Sequence, residues 1–426
     1  MLFVAPIPPA RTGNGLAMRA GVFLDAFAHD FSVTLLIVPV AAGTPGKHVS
    51  RFVAMRTRRV VVVSLEGKLD SLWDICSRIV RSTARAAALA EYPRPALCRY
   101  ATAPCLNEVR AAFPNERFDV VHVMRSYLAP YAAPFILGAS GATEITPSLD
   151  LDDDEALTHR GLAALADRTG RSDEARIESA EASKYERHEA EWLARFRMLI
   201  TCTTDHAHQL AKAHPGTRVV TVPNTVRLPR AVTARLPRAL IRLSGRTKHV
   251  LFVGNLSYSP NVEGIRRFAL ETLPRLRARL ADAVILRIAG SSPTTDVLAL
   301  TDLPGVELAA NPTHMAKHYA WADLAVVPIE AGGGTRIKLL EAFAHGVPVV
   351  ATRAGADGIA VADRVHLLLA DSFEAFADAC AEIFADARLR KRLSDHAREL
   401  VKARYAHANG AQIIRTAFAQ ATLREQ

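Results

Sequence analysis

Cysteine is scarce in this sequence: five residues in 426, Cys76, Cys98, Cys105, Cys202 and Cys380, with no close pair of metal-binding spacing. A disulfide-built secreted scaffold is excluded, reduced and packed thiols are expected, and no metal site is assigned. Long apolar runs are also missing near the start. Val33 to Ala42 is interrupted by Thr34 and Pro39 and has about half the residues a bilayer-crossing helix needs, so it reads as a strand. Met1-Leu-Phe-Val-Ala opens without a basic leader, which sets the expectation of a cytoplasmic chain. The 23 glycines follow no every-third-residue repeat, which removes collagen. What is present is 50% apolar and 23% charged residues, a balance that builds sizeable cores and excludes global disorder.

The net charge of +10 suits any anionic partner, and its sign alone does not choose one. No aromatic-rich basic stretch or zinc-finger spacing accompanies it, so nucleic acid is not expected. Between Leu72 and Ala90, Arg78, Arg81 and Arg85 recur on one helical face, with Leu72, Ile75 and Ile79 towards the other. That pattern fits peripheral contact with an anionic membrane, and equally an ordinary surface helix with a solvated basic side.

The chain repeats one grammar twice. Leu2 to Ala5 reads as a strand, Pro6 to Gly15 as a glycine loop, Leu16 to Ala28 as a helix and Ser32 to Val38 as the next strand. Short strands follow at Val61 to Ser64, Val120 to Val123, Met198 to Thr201 and Arg218 to Val222, with a long charged helix from Arg171 to Arg197 expected to project partly into solvent. After a stretch rich in proline, arginine and leucine the pattern restarts with a strand from His249 to Val253, a loop from Gly254 to Asn261 and a helix from Val262 to Leu276. The expected organisation is an N-terminal Rossmann-like domain over 1–228, a linker over 229–246, a second such domain over 247–405 and a terminal helix over 406–426 that packs back on the first. Ligand chemistry is expected at the strand ends of such doubly wound α/β sheets.

The strongest local signal runs from Leu324 to Val350. A buried strand ends, Gly332, Gly333 and Gly334 permit close backbone approach, and Thr335 can cap a helix bearing Arg336, Lys338 and Glu341. Free N–H groups at that helix start and two cations favour a diphosphate. Glu341 lies three residues past Lys338, about 60° round an ideal helix, so an ion pair between them and a hydrogen bond to vicinal hydroxyls such as a ribose stand as alternatives. The glycines precede no Gly-Lys-Ser or Gly-Lys-Thr pair, and Gly13-Asn-Gly15 is not the six-position dinucleotide pattern. ATPase and dehydrogenase readings lose support. Asp205-His-Ala-His208 lacks a further spaced ligand and reads as a surface helix, and Asp150 to Asp154 is too compact for a calcium loop.

With Gly332-Gly-Gly-Thr-Arg-Ile-Lys338, Pro6 to Gly15, Phe118-Asp-Val-Val-His-Val123, Val222-Pro-Asn-Thr225, Phe252-Val-Gly-Asn255 and Glu341 to Thr352, nearly the whole chain resembles a retaining family-4 glycosyltransferase of GT-B architecture, two facing Rossmann-like domains. The resemblance implies glycosyl transfer from a nucleoside-diphosphate sugar to an acceptor hydroxyl, in polysaccharide, glycolipid or natural-product assembly, without a cofactor. It implies donor contacts from Gly13, Gly15, Gly254, Asn255, Gly333, Gly334, Thr335 and Glu341, and catalytic roles for Arg336, Lys338 and His122. Asp152 and Asp153 are acceptor-side candidates. Glu341 matches the second glutamate of the family's pair, the ribose ligand, while the first falls at Gly333. Asn255 stands at a usual arginine position and Asn261 near a usual phosphate-binding lysine, which makes Arg336 and Lys338 the preferred phosphate ligands. Met124 stands where a second histidine is common, leaving His122 either acceptor-facing or packed. A sugar-nucleotide epimerase and a silent nucleotide-sugar binding protein are the rival readings.

Overall fold

Short apolar runs build two all-parallel sheets in the computed structural model, which describes residues 1–41, 49–114, 116–136, 145–229, 247–280, 283–333 and 336–423. One compact unit comprises Met1–Asn224 and Ala408–Gln426, the other Thr225–His407. In the first, β1 (Leu2–Ala5), β2 (Thr34–Ile37), β3 (Arg59–Val62), β4 (Val120–Met124), β5 (Thr146–Asp152), β6 (Met198–Thr201) and β7 (Arg218–Thr221) lie in the order β3-β2-β1-β4-β5-β6-β7. In the second, β8 (Lys248–Asn255), β9 (Val284–Ser291), β10 (Val306–Ala310), β11 (Leu324–Val327), β12 (Val349–Ala351) and β13 (Leu368–Leu369) lie in the order β10-β9-β8-β11-β12-β13. Each order reverses once, between β1 and β4 and between β8 and β11, and such a switch point opens a crevice at the strand ends.

Parallel strands need crossovers, and the crossover helices cover both faces, so the strands are apolar on both sides. β1 shows this directly. Leu2 and Val4 join one core cluster, Phe3 and Ala5 the opposite one. The terminal helix His407–Leu423 adds Ile414, Ala417 and Phe418 to the second of these clusters, with Phe418 edge-on to Phe27 at 4.9 Å.

Four local expectations change. β5 was not expected as a strand, because Pro147, Asp150 and Asp152 disguise a segment that is buried throughout. The basic stretch from Leu72 to Ala90 is two helices, Ser71–Ser77 and Ser82–Glu91, rather than one, so its arginines share no single helical face. The helix Ser172–Trp192 is anchored more deeply than expected: Arg176, Glu186, Arg187 and Glu191 are exposed, but Glu181, Lys184, Tyr185, His188 and Trp192 form a buried stripe at three- and four-residue spacing. Lys184 is tolerated inside because its ammonium donates to Glu181 Oε1 at 2.7 Å and Leu89 O at 2.8 Å. The helix expected from Val262 to Leu276 begins at Ser259 and is divided by a π-helical turn over Phe268–Thr272. Most of the expected linker, 230–246, lies outside the described residues.

Candidate functional site

The switch point of the second sheet gathers one cation. Lys338, in the second position of the helix Ile337–Ala344, directs its ammonium at Asn261 Oδ1, 2.6 Å away. Asn261 sits in the helix Ser259–Arg267 and donates its amide to the carbonyl of Asn255 at the end of β8, at 2.8 Å. Gly254 lets them sit close to the backbone: a Cβ there would lie 2.8 Å from Asn261 Nδ2 and 3.1 Å from Lys338 Nζ and would push both side-chain ends aside. The ammonium also stands 5.0 Å over the Phe252 ring, a favourable cation–π placement. Burial, reinforced by the cation of Arg336 and opposed by Glu341, lowers the Lys338 pKa to about 7.

Glu341, one turn further on, is half-buried and accepts from the Tyr319 hydroxyl at 2.9 Å. Tyr319 is locked by stacking on His345, with ring centroids 4.8 Å apart and planes 9° apart. Burial raises the Glu341 pKa, while the tyrosine bond and the Lys338 charge pull it down. Lys338 bonds Asn261 rather than Glu341, so the ion-pair alternative is not the arrangement adopted. Among the described residues, Glu341 Oε1 has no hydrogen-bond donor, which leaves an acceptor available on a positioned carboxylate.

Arg336 takes a different position from the one expected. It is 7% exposed, and its guanidinium donates to Gly333 O and Gly332 O at 2.6 Å each, with 3.4 Å approaches to Ala354 O. Those donors hold the glycine turn instead of standing free for phosphate. Gly332 has φ 106°, and a Cβ there would meet the Tyr258 hydroxyl at 2.6 Å, so only glycine fits. Gly334 and Thr335 lie outside the described residues. Asn255 is exposed, and its Oδ1 is occupied locally, accepting from Ser257 N at 3.1 Å and Ser257 Oγ at 2.9 Å. Because a lysine ammonium is a compact point without the planar fork that reaches Gly332 O and Gly333 O through separate nitrogens, Arg336→Lys is expected to cost about 1–3 kcal/mol of stability, measurable by urea unfolding.

In the first unit, His122 is a core residue, the packed one of its two readings, which corrects its place among the catalytic candidates. It is fully buried on β4 among Phe3, Phe23, Phe27 and Phe418, stacked on Phe23 at 4.7 Å. Its Nδ1 shares a 2.9 Å hydrogen bond with Ser148 Oγ. Burial, then the Arg19 charge, lowers its pKa to about 3, so the ring stays neutral at physiological pH and touches no solvent. Gly13 lies in a left-handed turn with φ 105°. Gly15 is the first residue of the helix Gly15–Asp30, whose N-cap Asn14 accepts from Leu16 N at 2.8 Å.

Asp152 belongs to a buried ion network that the sequence reading did not anticipate. Arg19 grips Asp150 through Nε and Nη2 at 2.7 and 2.6 Å. Asp152, at φ 61°, accepts from Asn224 Nδ2 at 2.8 Å and Arg125 Nη1 at 3.1 Å. Arg125 reaches Glu155 at 2.5 Å. Nearby, burial raises Glu189, which accepts from Ser126 Oγ at 3.1 Å, to about 7. Asp153 is half-buried beside Cys202. Asp152, Asp153 and Cys202 bring ligand-type atoms within 4.8 Å of one another, but guanidinium groups already neutralise Asp152. Arg19 did carry a sequence signal, a lone arginine between Met18 and Ala20 in an apolar helix. Tyr319 carried none, since its role depends on a contact with Glu341, 22 residues away.

Residues 247–386 match the family described as Glycosyl transferases group 1. No curated protein matches the sequence. Among solved structures, sucrose-phosphate synthase from Thermosynechococcus elongatus superposes with a TM-score of 0.65 at 17% identity, covering 99% of each chain. Anabaena HepE, solved with UDP and glucose, gives 0.62 at 13% identity over 98% of each. A glycosyltransferase from Rickettsia africae gives 0.59 at 10% identity over 96% of each. The chain therefore has the GT-B fold of these proteins, two Rossmann-like units, and its second unit carries the sequence pattern of the group 1 glycosyl transferases.

Proposed function

We propose that the chain is a retaining glycosyltransferase that moves a glycosyl group from a nucleoside-diphosphate sugar to an acceptor hydroxyl. The observation that carries this reading is the Lys338 ammonium at the end of β8, held by Asn261 above Gly254 at the sheet's switch point. The match of residues 247–386 to group 1 glycosyl transferases supports it, as does the fold shared with HepE, which binds UDP and glucose.

In this reading Lys338 faces the diphosphate and stabilises the charge that grows on it as the glycosyl bond breaks, more strongly than it stabilises the intact donor. Glu341, oriented by Tyr319, accepts from the ribose hydroxyls. Arg336 shapes the turn around the phosphate and adds its charge from behind. The acceptor hydroxyl attacks from the face the diphosphate leaves, and the departing phosphate takes its proton. Retention follows without an enzyme nucleophile.

Mass spectrometry of nucleotide-sugar and acceptor mixtures tests this. Donor consumption with a matching mass gain on an acceptor is expected. A changed sugar on the nucleotide without any acceptor would mean an epimerase, and tight donor binding with no turnover across a broad acceptor panel would mean a binding protein.

A pH signature follows from Lys338. The free protein loses this proton as pH rises through about 7, whereas a bound diphosphate favours the protonated form. Nucleoside-diphosphate affinity should therefore fall above neutrality, by up to about tenfold per pH unit. Calorimetry in buffers of different ionisation heat should register proton uptake on binding, and Lys338→Arg should flatten the profile.

A further inference from the structure

A second surface stands apart from the donor chemistry, in the stretch after β3. Val80 is 93% exposed, Ile75 66% and Leu72 49%, three of the large apolar side chains that face solvent among the described residues. Leu72 and Ile75 lie three apart on the helix Ser71–Ser77, which is anchored by buried Cys76 and by Trp73, edge-on to Tyr92 at 5.0 Å. Val80 sits in the turn before Ser82–Glu91. Arg78, with a side chain 77% exposed and paired to Asp74 at 2.8 Å, precedes Val80 by two residues. Arg81, exposed at the N-cap of the next helix, follows it directly. The charge is regional: residues 51–117 hold twelve Lys and Arg against six Asp and Glu, or +6 of the chain's +10.

We propose that this tip docks on an anionic lipid surface, with Ile75 and Val80 entering the boundary between headgroups and acyl chains and Arg78 and Arg81 on the lipid phosphates. Apolar side chains raised from a basic surrounding suit that boundary, which is apolar below and negative above. A second copy of the chain fits worse, because pairing through this face would oppose two segments of +6. A nucleic acid would leave Ile75 and Val80 without an apolar partner. Among the described residues no helix is long and apolar enough to cross a membrane, and the docking proposed for this tip is peripheral. The proposal does not depend on the glycosyl-transfer reading.

Sedimentation with vesicles tests it, comparing pure phosphatidylcholine with vesicles in which a third of the lipid is phosphatidylglycerol. The full chain should bind only the anionic vesicles, and less as salt rises. Arg78→Gln with Arg81→Gln should lower partitioning about thirtyfold, and Ile75→Ser with Val80→Ser should lower it on the order of tenfold or more. Thermal melting of each variant checks folding; should one fail to fold, the lipid and salt comparisons on the unaltered chain decide. Equal binding to neutral vesicles, no binding to either, or folded variants that partition like the parent would overturn the proposal. So would a lipid-free dimer that the Ile75 and Val80 changes abolish.

Discussion

Replacing Lys338 with alanine is expected to weaken nucleoside-diphosphate binding by about 2–4 kcal/mol, on the order of 30- to 1,000-fold. Among the described residues the ammonium hydrogen-bonds only the side chain of Asn261 and no backbone carbonyl, whereas Arg336 spends its donors on Gly332 and Gly333. Stability should move the other way. Burial lowers the Lys338 pKa to about 7, so the cost to folding is full below that pH and fades only as pH rises towards the unfolded lysine value of about 10.4; Lys338→Met should raise the melting temperature most at and below neutrality. Calorimetric titration with a panel of nucleoside diphosphates, beside thermal melts, separates the two effects. Because Asn261 lies 2.6 Å from the ammonium, Asn261→Lys in the alanine background should return a cation to the same place and recover part of the affinity. Unaltered affinity in Lys338→Ala would remove the residue from the donor site.

Arg19→Met is expected to destabilise the first unit by about 3–5 kcal/mol. Arg19 is 3% exposed and Asp150 fully buried. Besides its two bonds to Asp150, Arg19 donates to Val222 O at 2.9 Å and Asn224 Oδ1 at 3.1 Å. Methionine fills the volume but strands the Asp150 carboxylate. Adding Asp150→Asn should recover part of the loss, because a neutral amide is less costly to bury than an unpaired charge. The deficit of the single variant should also shrink as pH falls, since protonation neutralises the stranded group. Urea unfolding across pH reads both effects. Equal stability in parent and Arg19→Met would show that the network contributes nothing net.

Legibility differed residue by residue. Lys338 and Glu341 stood out because a glycine turn followed by a helix with basic and acidic residues is a local pattern, and local patterns survive folding. Arg336 belonged to the same pattern yet turned inward, because the carbonyls freed by the glycine turn compete with any phosphate for its fork of donors. His122 followed an apolar run at a strand end, and nothing in the run announces that Phe23, Phe27 and Phe418 close over it. β5 went unrecognised because its acidic residues look solvent-bound until Arg19, Arg125 and Asn224 arrive from distant parts of the chain.

The order of apolar runs and amphipathic stretches alone specified two doubly wound parallel sheets, since period and connection length are written along the chain and right-handed crossovers leave few topologies. Only tertiary structure decided which charged groups face a ligand and which are neutralised inside. Solvation of these charges is settled by groups far away in sequence, Asn261 for Lys338, 77 positions earlier, and Val222 for Arg19, 203 positions later. No window along the chain contains both partners.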